Sequence, residues 1–170
     1  MLESQFRAKA SEYCRKSQGR KPVFNSSFGC GQEGYVWPIQ GGVSAIKVFE
    51  RRRNFENELG CYKILDDHSV TEIRGFNIPQ LIDWSDELMV IEMTIAKPPF
   101  ILDFVKSSLY FKPEYPSDAE DHYQRQLEDT FGEYLPQVEL ALAVLESFGI
   151  FYIDASGNNI KVLGLPLELA

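Results

Sequence analysis

The spacing of apolar residues changes several times along this chain, and each change marks an element. Residues 2–16 contain neither Gly nor Pro and read as a short helix, which Gly19 and Pro22 end. Between residues 23 and 49 five glycines punctuate runs rich in Val, Ile, Phe and Tyr. That texture predicts three short antiparallel strands with tight connections. Phe55, Leu59, Tyr62 and Leu65 then recur at spacings of four, three and three, the stripe of an amphipathic helix. Gly60 lies within it at a cost of about 1 kcal/mol relative to Ala, so this helix must lean on packing.

Two further β-rich runs, 76–84 and 88–94, are joined by the turn residues Ser85-Asp86, and Pro79 predicts that the first is irregular or at an edge. Residues 96–117 carry Pro98, Pro99, Pro113 and Pro116 and read as a connection with one short helix around 102–109. Leu135, Val138, Leu142 and Leu145 form a second helical stripe that ends near Gly149. Residues 150–165 read as a strand, a polar loop and another strand. The sum is an α+β pattern.

Composition narrows the classes. Of 170 residues, 44% are hydrophobic and 25% charged, ordinary values for a globular domain. The formal net charge of -8, from 25 acidic against 17 basic residues, argues against a nucleic-acid partner, which needs clustered Lys and Arg. The one basic run, Arg51-Arg52-Arg53, is followed by Glu56 and Glu58 and reads as a solvated helix start. Cys14, Cys30 and Cys61 form no CxxC pair, and with only His68 and His122 beside them a zinc site is not expected; both histidines are assigned to the surface. The first residues include Glu3, Arg7 and Lys9 with no apolar core of a leader, and no apolar run approaches the roughly 20 residues of a membrane span. The expectation is a cytoplasmic protein with no membrane partner.

Candidate chemistry lies in three places. Gly29-Cys30-Gly31-Gln32-Glu33-Gly34-Tyr35-Val36 matches G-x-G-x-x-G-x-V. A dinucleotide-binding turn would place these glycines between a strand and a helix, whereas Tyr35-Val36-Trp37 continues as a strand, so a hairpin flap is expected. Ala45-Ile46-Lys47-Val48-Phe49 sets one lysine amid apolar neighbours, either on an exposed strand face or as an ammonium that grips phosphates. Such an ammonium needs an acidic partner. Glu58 is preferred over Glu56 because Leu59, Tyr62 and Leu65 follow it on the buried side. In Tyr152-Ile153-Asp154-Ala155-Ser156-Gly157-Asn158-Asn159, Asp154 and Asn159 stand five apart in a tight loop. The loop reads either as a plain Asp-Gly-Asn turn or as a proton-accepting carboxylate with a metal-binding amide.

In this order and spacing the chain, from about residue 23 to 163, resembles the protein kinase family, with its glycine-rich loop, strand lysine, helix glutamate and Asp-x-x-x-x-Asn loop. The resemblance implies a five-stranded antiparallel amino-terminal sheet with one main helix, residues 1–93 with a leading helix at 2–17. A reduced, mostly helical second lobe would follow over 94–170. It implies ATP and Mg2+ as cofactors, with Gly29, Gly31, Gly34, Val36 and Ala45 around the nucleotide. Lys47 would hold the phosphates, Glu58 would hold Lys47, Asp154 would act as base and Asn159 would bind the metal. Leu88-Met89-Val90-Ile91-Glu92-Met93 is similar to the strand before the kinase hinge. By that likeness Ile91 is the gatekeeper, and the backbone of Glu92, Met93 and Thr94 faces adenine.

The pattern also departs from the family. His-Arg-Asp becomes Tyr152-Ile153-Asp154, and Ser156 stands where a lysine often follows the aspartate. No Asp-Phe-Gly follows Asn159, and Glu168 is the sole carboxylate side chain after the loop. The expectation is therefore a pseudokinase without its metal aspartate and substrate lobe. The alternatives are a minimal active Ser/Thr kinase or small-molecule phosphotransferase using Asp154, and a kinase-shaped interaction protein that binds no nucleotide. The alternating Leu163, Leu165, Leu167 and Leu169 either cover the protein's own core or pair with a protein partner or a second copy.

Overall fold

The structure, a computed structural model, describes residues 2–16, 19–31, 34–114, 116–153 and 155–162, with the side chains of Cys30 and Ser117 excepted. Helix α1 (Glu3–Lys16) is followed by strands β1 (Gly29–Gly31), β2 (Gly34–Pro38) and β3 (Ser44–Phe49), then α2 (Arg52–Asp67). The short β4 (Glu72–Ile73) and β5 (Phe76–Asn77) precede β6 (Leu81–Ser85) and β7 (Val90–Thr94). Next come β8 (Phe100–Ile101), a 3-10 turn at Phe104–Lys106 and β9 (Ser108–Leu109). Helix α3 (Ser117–Phe131), a 3-10 turn at Gly132–Tyr134, α4 (Leu135–Ser147), β10 (Ile150–Phe151) and β11 (Ile160–Lys161) complete it.

The main sheet runs β1-β2-β3-β7-β6 with every neighbouring pair antiparallel. Its central strand β3 is buried at all six positions, because helices cover both faces. Ile46 and Val48 meet Phe6, Ala10, Tyr13 and Cys14 of α1, together with Trp37 and Val90. On the other face Phe49 packs with Phe55, Leu59, Tyr62 and Leu65, the α2 stripe legible in the sequence. A strand alternating between two apolar layers has no solvent face. Lys47, in its middle, is therefore forced inside, and its charge must be met there.

The interruption at Pro79 splits the expected strand into β5 and β6 and sends β5 to a second sheet, ordered β11-β8-β5-β4. There β5 pairs parallel with β8, which pairs antiparallel with β11. The main core continues without a break from α2 to Phe104, Val138, Ala141, Leu145 and Ile160. Residues 102–109, expected as a short helix, instead hold one 3-10 turn between β8 and β9, because the flanking residues are drawn into pairing with β11 and β10. Gly60 is explained by packing: a Cβ there would lie 2.7 Å from the Leu109 side chain on β9.

Gly34 has a sharper requirement. It opens β2 with φ +152°, and a Cβ would collide with the carbonyl oxygen of Val48 on the neighbouring strand. Gly34→Ala is expected to cost about 2–4 kcal/mol through strain and overpacking, read as a fall in the urea midpoint at unchanged slope. The third glycine of the motif is thus demanded by the sheet itself, whether or not a phosphate lies beneath it. Among the described residues no helix is long and apolar enough to cross a membrane.

Candidate nucleotide site

Lys47 is the centre of the site. Its ammonium donates to Glu58 Oε2 at 2.7 Å and to Asp103 Oδ1 at 2.7 Å. Glu58 is fully buried on α2, Lys47 nearly so, and the Asp103 side chain is 36% exposed. Glu56, the other candidate, is exposed. Burial pulls the Lys47 pKa down, but the two carboxylates outweigh it and hold the group above its ordinary value. The folded pKa exceeds the unfolded one, so the stability this shift contributes is fully present at neutral pH. It is lost as pH rises through the folded pKa, above the usual lysine value of about 10.4.

Asp103 was not singled out by the sequence pattern, yet its backbone is fixed on both sides. It sits in the left-handed region at φ 58°, ψ 76°, a conformation Asp tolerates better than most residues. Its predecessor Leu102 is fixed from both sides: its N–H donates to the Asn159 carbonyl at 2.8 Å, and its carbonyl accepts from the Tyr152 hydroxyl. Its successor Phe104 is buried between Tyr62 and Tyr152, edge to face with each. Asn57 of α2 adds a clamp, its side-chain amide donating to the carbonyls of Phe104, Val105 and Ser107. Tyr152 and Asn159 bracket the polar loop, so the loop and Asp103 are tied to one another through β8 and β11.

The other expected site residues fall as follows. Val36 and Ile91 lie in register with Lys47 on the strands flanking β3, and Ala45 is in register with Met93. Ile91 and Ala45 are buried, Val36 half-buried. Gly29, Gly31 and Gly34 lie on the β1–β2 hairpin, where Gly31 pairs with Gly34. Asn159 is half-buried at the end of the loop. Asp154 lies outside the described residues, as do residues 163–170 with the alternating leucines and Glu168.

Glu92 and Met93, whose backbone is expected to face adenine, lie within strand β7. Strand β7 is flanked by β3 on one side and β6 on the other, and its register with β6 shifts between Leu81, opposite Met93, and Asp83, opposite Glu92. Thr94 N–H donates to the Gln80 carbonyl, and Ile95 N–H to that of Val43. Main chain leaves the sheet only beyond that point. The Glu92 side chain faces α1: Arg20 grips it through both guanidinium nitrogens at 2.7 and 2.9 Å, and Ser44 and Tyr13 hydroxyls donate at 2.8 and 3.1 Å. This is a buried anchor for α1 on the sheet's outer face. Burial and the nearby Glu92 charge push the Cys14 thiol up to about 11, and burial pushes Cys61 up further, so neither is a ready nucleophile.

A cavity of about 400 Å³ lies between α3, α4 and the chain leading into the polar loop. Tyr123, Leu142, Phe151, Tyr152 and Ile153 line it, with Glu120 and Glu139 at its wall. Ile153 immediately precedes Asp154.

No protein-family model and no curated protein matches the chain. Among solved structures it is similar to APH(2″)-IIa in a ternary complex with streptomycin and ATP, at 14% identity and a TM-score of 0.38 over 77% of this chain and 36% of that one. A gentamicin complex of APH(2″)-IIa gives 16% identity and a TM-score of 0.38 over 81% of this chain and 53% of that one. The chain thus spans about a third to a half of the proteins it matches, and the site rests on its own geometry.

Proposed function

We propose that this chain is an ATP-binding module of protein-kinase-like build, with residues 1–93 forming the nucleotide lobe and 94–170 a reduced second lobe. The observation that carries this reading is the Lys47–Glu58 ion pair, buried on the face of β3 that meets α2 and in register with Val36 of the glycine hairpin. A buried ion pair is a poor way to stabilise a fold, because desolvation consumes most of the attraction. Its value here is to hold one ammonium rigidly where phosphate oxygens can meet it. Adenine then lies against Ala45 and takes its main-chain contacts from residues beyond Thr94.

Transfer from such a site would break the bond between the γ-phosphorus and its bridging oxygen and form one to an acceptor hydroxyl. The proton would pass to Asp154 and ADP would leave. The cavity beside Ile153 has the size of a small-molecule site, which favours a small acceptor over a protein substrate. A partner or second copy docking on the carboxy-terminal side belongs to the alternative, purely scaffolding role. Calorimetry of ATP binding to the wild type and to Lys47→Met tests the nucleotide reading. Binding that Lys47→Met reduces at least tenfold is expected; no heat at millimolar ATP would leave only the scaffold.

A further inference from the structure

We infer that Asp103 is a metal-holding carboxylate of this site, supplied from the segment before the polar loop. The inference rests on the nucleotide reading above and concerns the divalent cation that accompanies ATP. An Asp-Phe pair is present in this chain at Asp103-Phe104, before the polar loop.

Three independent observations put it in the site. The first is contact: Asp103 and Glu58 share the Lys47 ammonium at 2.7 Å each. The ammonium thus stands between two carboxylates. Glu58 is sealed in the core, whereas Asp103 is partly open to solvent, so Asp103 is the one of the two that a ligand can reach. The second is register. Strand β8 leads into Asp103 and pairs antiparallel with β11, which leaves the polar loop: Ile160 faces Ile101 and Lys161 faces Phe100. The Leu102 N–H bond to the Asn159 carbonyl extends that ladder by one step, and brings Asn159, the other expected metal ligand, to the residue next to Asp103. An antiparallel pair has the same geometry whichever strand comes first in the chain. Moving β8 ahead of α3 and α4 therefore changes the connection and leaves the site intact.

The third is how Asp103 is held. A non-glycine residue in the left-handed region carries backbone strain of order 1 kcal/mol or more. The chain tolerates that strain with fixtures on both sides, the Tyr152 hydroxyl on Leu102 and the Asn57 clamp on the turn after it. A surface aspartate with no duty would need neither.

The donor set suits the ion. Mg2+ in nucleotide sites keeps several waters and binds through one or two protein oxygens plus phosphate oxygens, so a cage of side chains is not required. Among the described residues no cluster of three or more His, Cys, Asp or Glu side chains is found, so phosphate oxygens and water would have to complete the shell. When bound, the cation would neutralise charge on the phosphates. Asp103 would hold it, and Lys47 would remain with Glu58.

The test is ATP calorimetry in EDTA and in Mg2+, on the wild type and on Asp103→Asn, which keeps the shape and removes the charge. The wild type is expected to bind at least tenfold tighter with Mg2+. Asp103→Asn is expected to lose the Mg2+ gain, read as the ratio of its own affinities in Mg2+ and in EDTA, so that any change in its metal-free binding through Lys47 cancels. An undiminished Mg2+ gain in Asp103→Asn overturns the inference while leaving the nucleotide site standing; absence of ATP binding under both conditions in the wild type sinks both. A measurement on the unmodified protein guards against a variant that does not fold. Mn2+ with a non-hydrolysable ATP analogue, added in small steps, should broaden the amide resonances of Asp103 and Asn159 well before those of Phe6 and Tyr13 on α1. Equal broadening of both sets, or of neither, refutes the placement.

Discussion

Arg20→Ala is expected to be among the most damaging substitutions in the chain, although the arginine meets Glu92 on the α1 side of the sheet, while Lys47 meets Glu58 of α2. Glu92 is fully buried beneath α1, and Arg20 is its one cationic partner among the described residues. Without it the carboxylate keeps the Ser44 and Tyr13 hydroxyls, which soften the loss but supply no charge. Breaking a buried pair by deleting one member typically costs about 3–5 kcal/mol; the lower end applies because the Arg20 side chain is a third exposed. For a domain of this size about 3 kcal/mol lowers the melting temperature by roughly 6–12 °C. The companion Glu92→Gln should cost less, because Gln keeps an acceptor for Arg20 and the packing volume. Thermal unfolding of the two variants decides it: an Arg20→Ala melt within 2 °C of wild type, about a 0.5–1 kcal/mol change, would mean that the pair contributes little.

The sequence shows Lys47 and Glu58 together because both sit on strongly periodic elements whose faces can be read. Lys47 falls in an apolar strand, and Glu58 adjoins the buried stripe of α2. Asp103 was missed because its segment has no period. Pro98 and Pro99, a left-handed residue and a single 3-10 turn follow one another within nine residues, and the apolar Leu102, Phe104, Val105 and Leu109 mimic a helical stripe. What fixes that segment is long-range pairing with β10 and β11, which no local window contains. The available signal was the Asp-Phe dipeptide after an apolar pair, visible only to a search that does not assume motif order. Tyr152 was legible only as a departure from His-Arg-Asp; its hydroxyl on Leu102 shows what the departure does. Glu92 is a different case: its strand is legible, but the buried partners of its side chain, Arg20, Ser44 and Tyr13, are too distant in sequence for any local window.

Lys47→Met should lower stability as well as binding, and the two losses can be separated. Methionine fills much of the lysine volume but takes the Lys47 ammonium away from the buried Glu58, an expected cost of about 3–5 kcal/mol. Asp103 contributes less to that cost because water reaches it. Adding Glu58→Met removes the stranded charge and replaces an ion pair with two apolar side chains, an exchange that in buried sites is often neutral or stabilising. The double variant Lys47→Met/Glu58→Met is therefore expected to regain most of the stability the single variant loses, a coupling of at least about 2 kcal/mol between contacting residues. It should still bind no ATP. Urea unfolding and calorimetry on the same four proteins read both quantities. A double variant as unstable as the sum of its singles would show that the pair is not coupled, and would remove the argument that Lys47 is held for phosphate. Recovered stability with absent binding would show that the ion pair is kept in this core for its ligand and at the expense of the fold.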